Sequence, residues 1–435
     1  MTRSTKPMTR PPRAGSHRQI CRMPISRFRT CPFAFSLKKR IGHIRVEGLV
    51  SDHILDVSAV SKHLTGLARG AAEACADRHL NALMELGPSA WRELRHNLFQ
   101  LLKDSAKPDA IRDHLVPMAS ASLLLPIKIP NFTDFFASVF HATNAGSLFR
   151  RDNPLLANYK YVPIAYHGRA SSIVVDGTDF RRPKGQTVAS NTTTPVLRAC
   201  QKLDHEVELG FYVGVPNCAG QAVPVATART HIFGASLLND WSARDIQAWE
   251  YQPLGPFLAK NFATTVSPWV IMAQALVPFR TFAFERPVGD PAPLPHLSDP
   301  QDQATGGYDI TLRAYIQSER MRELHLPPQL LSSGTVANSY WTVAQMIAHH
   351  TSNGCNLETG DLLGTGTMSG PERESWGSLL ELTANGTQPI SLPTGETRRF
   401  LEDGDLISIR GYCHRAGYAR IGFGDCSAVV LSAET

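Results

Sequence analysis

Two textures of hydrophobic and polar positions run along the chain. From Pro126 onward, short apolar runs alternate with Gly, Pro and Asn punctuation: Ser172 to Val175, Val207 to Val213, Ile232 to Leu238, Val270 to Ala273, Ile310 to Ile316, Ser378 to Leu382 and Leu406 to Arg410. Runs of this length bounded by turn residues predict β-strands, and their rhythm predicts a β-barrel or roll with few helices. The clear helix of this part is Trp341 to His350, closed by Asn353-Gly354. Upstream, Ile41 to Val46 and Ile54 to Val57 predict short strands. Trp91, Leu94, Leu98, Leu101 and Leu102 then recur at spacings of three and four after Gly87-Pro88, which predicts an amphipathic helix. Residues 1–40 show no sustained period. The pattern divides the chain into 1–40, 41–125 and 126–435, with no repeat of solenoid length.

Composition changes this picture at one end only. The net charge is +6, but residues 1–40 carry eleven Lys and Arg and no acid, which leaves the remainder at −5. A mildly acidic body has no basic face for counterion release, so nucleic acid is not expected as a partner. The leader has the composition of a disordered extension and also that of an organellar transit peptide; without an amphipathic stripe we favour the extension. No apolar run approaches the ~18 residues of a spanning helix, so no membrane partner is expected. Eight scattered cysteines without a C-x-x-C pair read as reduced thiols of a cytoplasmic protein.

Candidate chemistry concentrates between Ser236 and Trp269, where Arg244, Asp245, Gln247, Glu250, Tyr251, Lys260 and Thr264 interleave with apolar anchors. This is the pattern of an active-site wall. Glu206 and Glu208 lie on one face of a predicted strand from Leu203 to Val213, and adjacent carboxylates need a cation, a shared proton or water. Asp240 ends another apolar strand, and Asp134 follows Phe132-Thr133. Four carboxylates without thiolate or imidazole describe a hard-cation site for Ca²⁺, Mg²⁺ or Mn²⁺. His141, seven residues after Asp134, becomes a base if a carboxylate holds its other nitrogen; alone, it reads as a structural histidine. Arg244, Gln247 and Lys260 are either donors for an oxyanion or, for Arg244, a surface pair with Asp245 or Asp240. Gly364-Thr365-Gly366-Thr367 reads as a β-turn. The absence of G-x-S-x-G, P-loop and strand-borne G-x-G-x-x-G motifs disfavours serine hydrolases, NTPases and dinucleotide enzymes.

Several blocks together resemble the fumarylacetoacetate hydrolase family: TDFFASVFHATNAGSLFR (133–150), AYHGRASSIVV (165–175), RRPKGQ (181–186), LDHEVELGFYVG (203–214), NDWSARDIQAWEYQPLGPFLAKNFATTVSPWV (239–270), HHTSNGCNLETGDLLGTGTMSGPE (349–372) and GYCHRAGYARIGFGDC (411–426). The likeness covers nearly all of the chain except the leader. It implies a mainly β fold with some α, in which a small N-terminal SH3-like β-barrel precedes a C-terminal mixed β-roll, assembled as a homodimer. The implied reaction is metal-dependent hydrolysis of the carbon–carbon bond of a diketo acid, 4-fumarylacetoacetate, to fumarate and acetoacetate, the last step of tyrosine and phenylalanine catabolism.

Carried over position by position, the resemblance assigns Asp134, Glu206, Glu208 and Asp240 to calcium, and Lys260 and Thr264 to a second, magnesium-like cation. His141 becomes the base and Glu381 the carboxylate that orients it. Arg244, Gln247 and Lys260 are catalytic, and Phe136, Arg150, Tyr166, Arg244, Gln247, Tyr251 and Thr367 bind substrate. Phe136 stands where the family usually has Tyr, and Ala263 where it has Gly, so one hydroxyl contact is lost. Other keto-acid reactions of this fold would use the carboxylates but not the segment from Asp240 to Lys260 as it stands here. A non-catalytic scaffold would not need His141 and Glu381.

Overall fold

The computed structural model describes residues 34–40, 43–50, 53–103, 109–189 and 192–434. The amphipathic periodicity after Gly87 becomes a helix over Gly87–Lys103, which buries Ala90, Trp91, Leu94, Leu98, Leu101 and Leu102. Together with Gly66–Ala74 it packs on one face of a large sheet. In order across that sheet run Leu115–Pro117, His53–Asp56, His43–Val50, Ala34–Arg40, Val270–Met272, Ile232–Asp240, Val207–Val213, Leu362–Gly364, Phe132–Phe135 and Ala165–Gly168, with Thr264–Val266 branching from Ile232–Asp240. A second sheet orders Gln329–Thr335, Thr311–Gln317, Leu406–Cys413, Ile421–Leu431 and Phe180–Arg181. It covers the opposite face.

Coverage on both faces explains why the central strands read as unbroken apolar runs rather than alternating ones. Every residue of Val207–Val213 and of Ile232–Asp240 is buried. Leu209, Phe211, Val213 and Leu237 enter the core shared with the second sheet, whereas Tyr212, Phe233 and Leu238 enter the one shared with Trp91 and the helices.

Four expectations change. The fold is mixed α/β rather than mainly β, since Val139–Phe149 and Val343–Thr351 add to the helices above. The predicted strand from Ser378 to Leu382 is a single helical turn, Leu379–Leu382, all four residues buried; a short apolar run bounded by polar residues does not distinguish a buried strand from a buried helical turn. Ala34–Arg40, placed in the leader, is a strand that pairs with His43–Val50 and, through Ala34 and Phe35, with Val270–Met272 of the body. The section from 41 to 125 thus shares both sheet and core with the body. Residues 1–33, where the rest of the leader falls, lie outside the described residues. The helix expected at Trp341 begins at Val343 because Thr342 and Gln345 form a capping box.

The two-residue period of a strand also positions the site. Phe132, Leu238 and Tyr212 point into the helix-side core; two residues beyond Phe132 and Leu238, and four before Tyr212, the same face carries Asp134, Asp240 and Glu208. Strands of one sheet therefore bring these acids together at one end of one face.

Candidate active site

Asp134, Glu206, Glu208 and Asp240 converge with one oxygen from each within 4.8 Å of the others, and all four are buried. Leu362–Gly364 lies between the strands that carry Asp134 and Glu208, with Gly364 opposite Asp134 on one side and Gly210 on the other. A Cβ at Gly364 would fall 2.4 Å from Asp134 Oδ1, so the acids meet across a position that has no side chain. Gly366, at φ +73°, donates its N–H to Asp134 Oδ1 and Glu208 Oε2, both at 3.2 Å. The segment from Gly364 to Thr367, read as a plain turn, is therefore part of the site.

Two fixed cations flank the cluster. Lys260 Nζ donates to Glu206 Oε2 and, at 2.7 Å, to Asp240 Oδ2. Burial works against the Lys260 charge, but Asp240 and Glu206 more than offset it and raise its pKa. A protonated ammonium has no lone pair, so the Lys260 side chain supplies positive charge here rather than a ligand atom. Thr264 Oγ1 donates to Asp240 Oδ1 at 2.9 Å, and Tyr166 donates its hydroxyl to Asp240 Oδ2. Arg244 does not pair with Asp245 or Asp240; its Nε donates to Asp204 Oδ2 at 2.9 Å, its Nη2 lies 2.8 Å from Glu206 Oε1, and its Nη1 donates to Gln247 at 3.2 Å.

The four acids divide accordingly. Burial would push Glu206 up, but Lys260, Arg244 and His141 hold it well below the usual carboxylate range. Asp134 and Glu208 are driven up, first by burial and then by neighbouring carboxylates, Asp240 for the former and Asp134 for the latter. Glu208 Oε1 is buried with no partner. Four carboxylates against two cations leave formal charge for one divalent ion, and the donors are hard oxygens, so the residues present fit such an ion.

Beside this cluster lies a second arrangement. Ser138 caps the helix Val139–Phe149, accepting from His141 N at 3.2 Å, which sets His141 in the first turn. His141 Nδ1 is 2.7 Å from Glu381 Oε2. Ser369 and Ser378 donate to that same oxygen at 2.9 and 2.8 Å, and Asn144 Nδ2 donates to Oε1 at 2.9 Å. Burial opposes the Glu381 charge, yet His141, Asn144 and Ser378 hold its pKa below the ordinary value. A carboxylate only accepts, so Nδ1 of His141 carries a proton, and in the neutral ring the lone pair is then on Nε2.

The remaining expected residues are placed less uniformly. Phe136 stacks edge-on against His141, with ring centroids 5.3 Å apart. Thr367 is buried with an unpartnered hydroxyl. Arg150 ends the His141 helix and donates to Pro154 O at 3.3 Å, while Tyr251 follows Arg244–Glu250 with its backbone bonded to Gln247 and Gly255. Asn144, Ser369, Ser378 and Asp204 were missed. Asn144 was legible, since i and i+3 share a helix face; the others act through tertiary contacts that no local pattern announces.

Fold and site together define a mixed α/β protein with a buried acidic cluster beside a histidine–carboxylate pair. The chain belongs to the fumarylacetoacetate hydrolase family: the sequence model of the fumarylacetoacetate (FAA) hydrolase C-terminal region matches residues 131–431, and that of the fumarylacetoacetase N-terminal region matches 31–126. Fumarylacetoacetase from Homo sapiens is 45% identical over 398 residues, covering 89% of this chain and 92% of that protein. The Bos taurus fumarylacetoacetase is 44% identical over 403 residues, with the same coverage. Among solved structures, fumarylacetoacetate hydrolase from psychrophilic Exiguobacterium antarcticum superposes with a TM-score of 0.51 at 17% identity, covering 92% of this chain and 99% of that one, a likeness of fold.

Proposed function

We propose that the chain hydrolyses the carbon–carbon bond of 4-fumarylacetoacetate, giving fumarate and acetoacetate, the last step of tyrosine and phenylalanine catabolism. The observation that carries this is the His141–Glu381 pair set beside four buried carboxylates and two buried cations in a chain 45% identical to a fumarylacetoacetase. A divalent ion, Ca²⁺ or Mg²⁺ with Mn²⁺ as an alternative, would be held by Asp134, Glu206, Glu208 and Asp240. When bound it would supply Lewis-acid polarisation of the diketone oxygens.

His141 Nε2 takes a proton from water while Glu381 holds the ring and balances the charge that develops on it. The resulting hydroxide adds to the carbonyl carbon on the fumaroyl side. Lys260 and Arg244 then face the tetrahedral oxyanion, with Gln247 steadying Arg244. As the oxyanion collapses, the carbon–carbon bond breaks, its electrons leave with the acetoacetate carbon, and His141 returns the proton. Arg150, Tyr166, Tyr251 and Thr367 are assigned to substrate binding, with Phe136 contributing an apolar ring.

The same reading carries a homodimer and an SH3-like N-terminal barrel, for which the block-by-block resemblance is the support, and a cytoplasmic location, for which the scattered cysteines without a C-x-x-C pair are the support. No helix among the described residues is long and apolar enough to cross a membrane. The test is an assay of purified chain with fumarylacetoacetate and Ca²⁺ or Mg²⁺, following the conjugated chromophore and both products. Equimolar fumarate and acetoacetate are expected. Turnover confined to acylpyruvates or oxaloacetate would reject the substrate, and no keto-acid turnover would reject the reaction.

A further inference from the structure

Asp204 is fully buried, and its carboxylate accepts four hydrogen bonds. Oδ1 accepts from Leu379 N at 2.7 Å and His205 N at 2.8 Å; Oδ2 accepts from Leu380 N and Arg244 Nε, both at 2.9 Å. These donors belong to two different parts of the site. Leu379 and Leu380 open the helical turn that carries Glu381, and Ser378 Oγ accepts from Glu381 N at 3.4 Å, so the first three N–H groups of that turn end on Asp204 and Ser378. Arg244 belongs to the other part, where it pairs with Glu206 beside Lys260.

The backbone completes the linkage. Leu203–Asp204 pairs antiparallel with Ser242–Ala243, and Arg244 N donates to Lys202 O at 2.9 Å. Asp204 is thus fixed through its main chain to the segment bearing Arg244 and through its side chain to the turn bearing Glu381, 177 positions further along the sequence.

We propose that Asp204 is a positioning residue for the hydrolysis: a single carboxylate that sets the Glu381–His141 pair relative to the Arg244–Glu206–Lys260 group. The proposal rests on the function given above. A side chain with two accepting oxygens is the group that the geometry requires. In an amide one oxygen is replaced by an NH₂, which would meet either the Leu379 and His205 N–H groups or those of Leu380 and Arg244 Nε, donor against donor in a buried place. The bland alternative is a helix cap that stabilises the fold without acting on the chemistry.

Double-mutant cycles separate the two. In the full chain loaded with Mg²⁺ or Ca²⁺, Asp204→Asn is expected to lower kcat by about 100-fold, the lower end of what acid–base catalysis contributes. Made in a Glu381→Gln or an Arg244→Lys background, the same change is expected to cost less than about fivefold more, since a group already disabled gains nothing from being well placed. Asp204→Glu keeps the charge opposite Arg244 and displaces it by one methylene; it serves where Asp204→Asn yields too little folded protein, with the same non-additivity expected. Wild-type kcat in either variant, or losses that multiply independently in both cycles, would overturn the proposal. A readout free of substrate keeps it apart from the functional reading: the downfield proton resonance of His141 Nδ1–H is expected to shift in Asp204→Asn, and an unchanged resonance counts against the linkage whether or not the chain turns over fumarylacetoacetate.

Discussion

Two buried carboxylate sites lie side by side in this molecule and are completed in opposite ways. Around Glu381, neutral donors from Asn144, Ser369 and Ser378 join His141, and both oxygens are engaged. Around Asp134, Glu206, Glu208 and Asp240, like charges face one another, burial and repulsion raise two of the four, and Glu208 Oε1 has no partner. Buried polar groups are ordinarily satisfied, because an unmet one costs roughly 1–3 kcal/mol. The Glu381 site is finished by the protein itself and so holds a side chain still. The four-acid site is left incomplete by the protein's own donors, and its oxygens could hold a cation.

That contrast can be broken from the acidic side with the largest effect. Glu208→Ala removes one of the four proposed ligands while leaving His141 and Glu381 in place; metal affinity is expected to fall by more than the ~10–100-fold that loss of an outer-shell partner costs, and activity at limiting metal to fall with it. Calorimetric titration of Mg²⁺ or Ca²⁺ measures this, and unchanged affinity would remove Glu208 from the ligand set.

A smaller effect is expected where the backbone closes on the acids. Gly366 has φ +73°, and a Cβ there would lie 2.1 Å from Phe135 O, so Gly366→Ala meets both a disfavoured conformation and backbone. A loss of at least about 1–3 kcal/mol is expected from the conformation alone. Its urea midpoint gives the measurement, and a midpoint like the parent's would mean that the glycine is not required.

On the satisfied side the smallest effect falls on Asn144→Ala. One of several donors to Glu381 is lost, a hydrogen bond to a charged group worth roughly 1.5–3 kcal/mol at most, and about a tenfold fall in kcat is expected with metal affinity unchanged. A fall in metal affinity instead would join the two sites that the comparison keeps apart.

The two sites were also unequally legible in the sequence. The acids sit at the ends of apolar strands, where a period of two predicts their direction, and Glu206 and Glu208 announce themselves by spacing. The histidine's partner does not: Glu381 lies 240 residues from His141, in a run that reads as a strand, and its link to His141 entered through family resemblance. Lys260 shows the limit from another direction. The resemblance placed it with a metal, while the structure sets its ammonium between Glu206 and Asp240, a contact that spacing along the chain does not announce. The long apolar strands were readable because both faces are covered, whereas the N-terminal section joins the body through the pairing of Ala34 and Phe35 with Ile271 and Val270 and through a shared core, neither of which a local pattern encodes.

The most direct measurement pairs metal stoichiometry with turnover in His141→Ala. If the acidic cluster binds the ion and the histidine moves the proton, this variant is expected to bind one divalent ion per chain with the parent's affinity, while kcat for fumarylacetoacetate falls by roughly 10²–10⁴-fold. Loss of the ion together with activity, or retention of substantial turnover, would contradict the division of labour between the two sites.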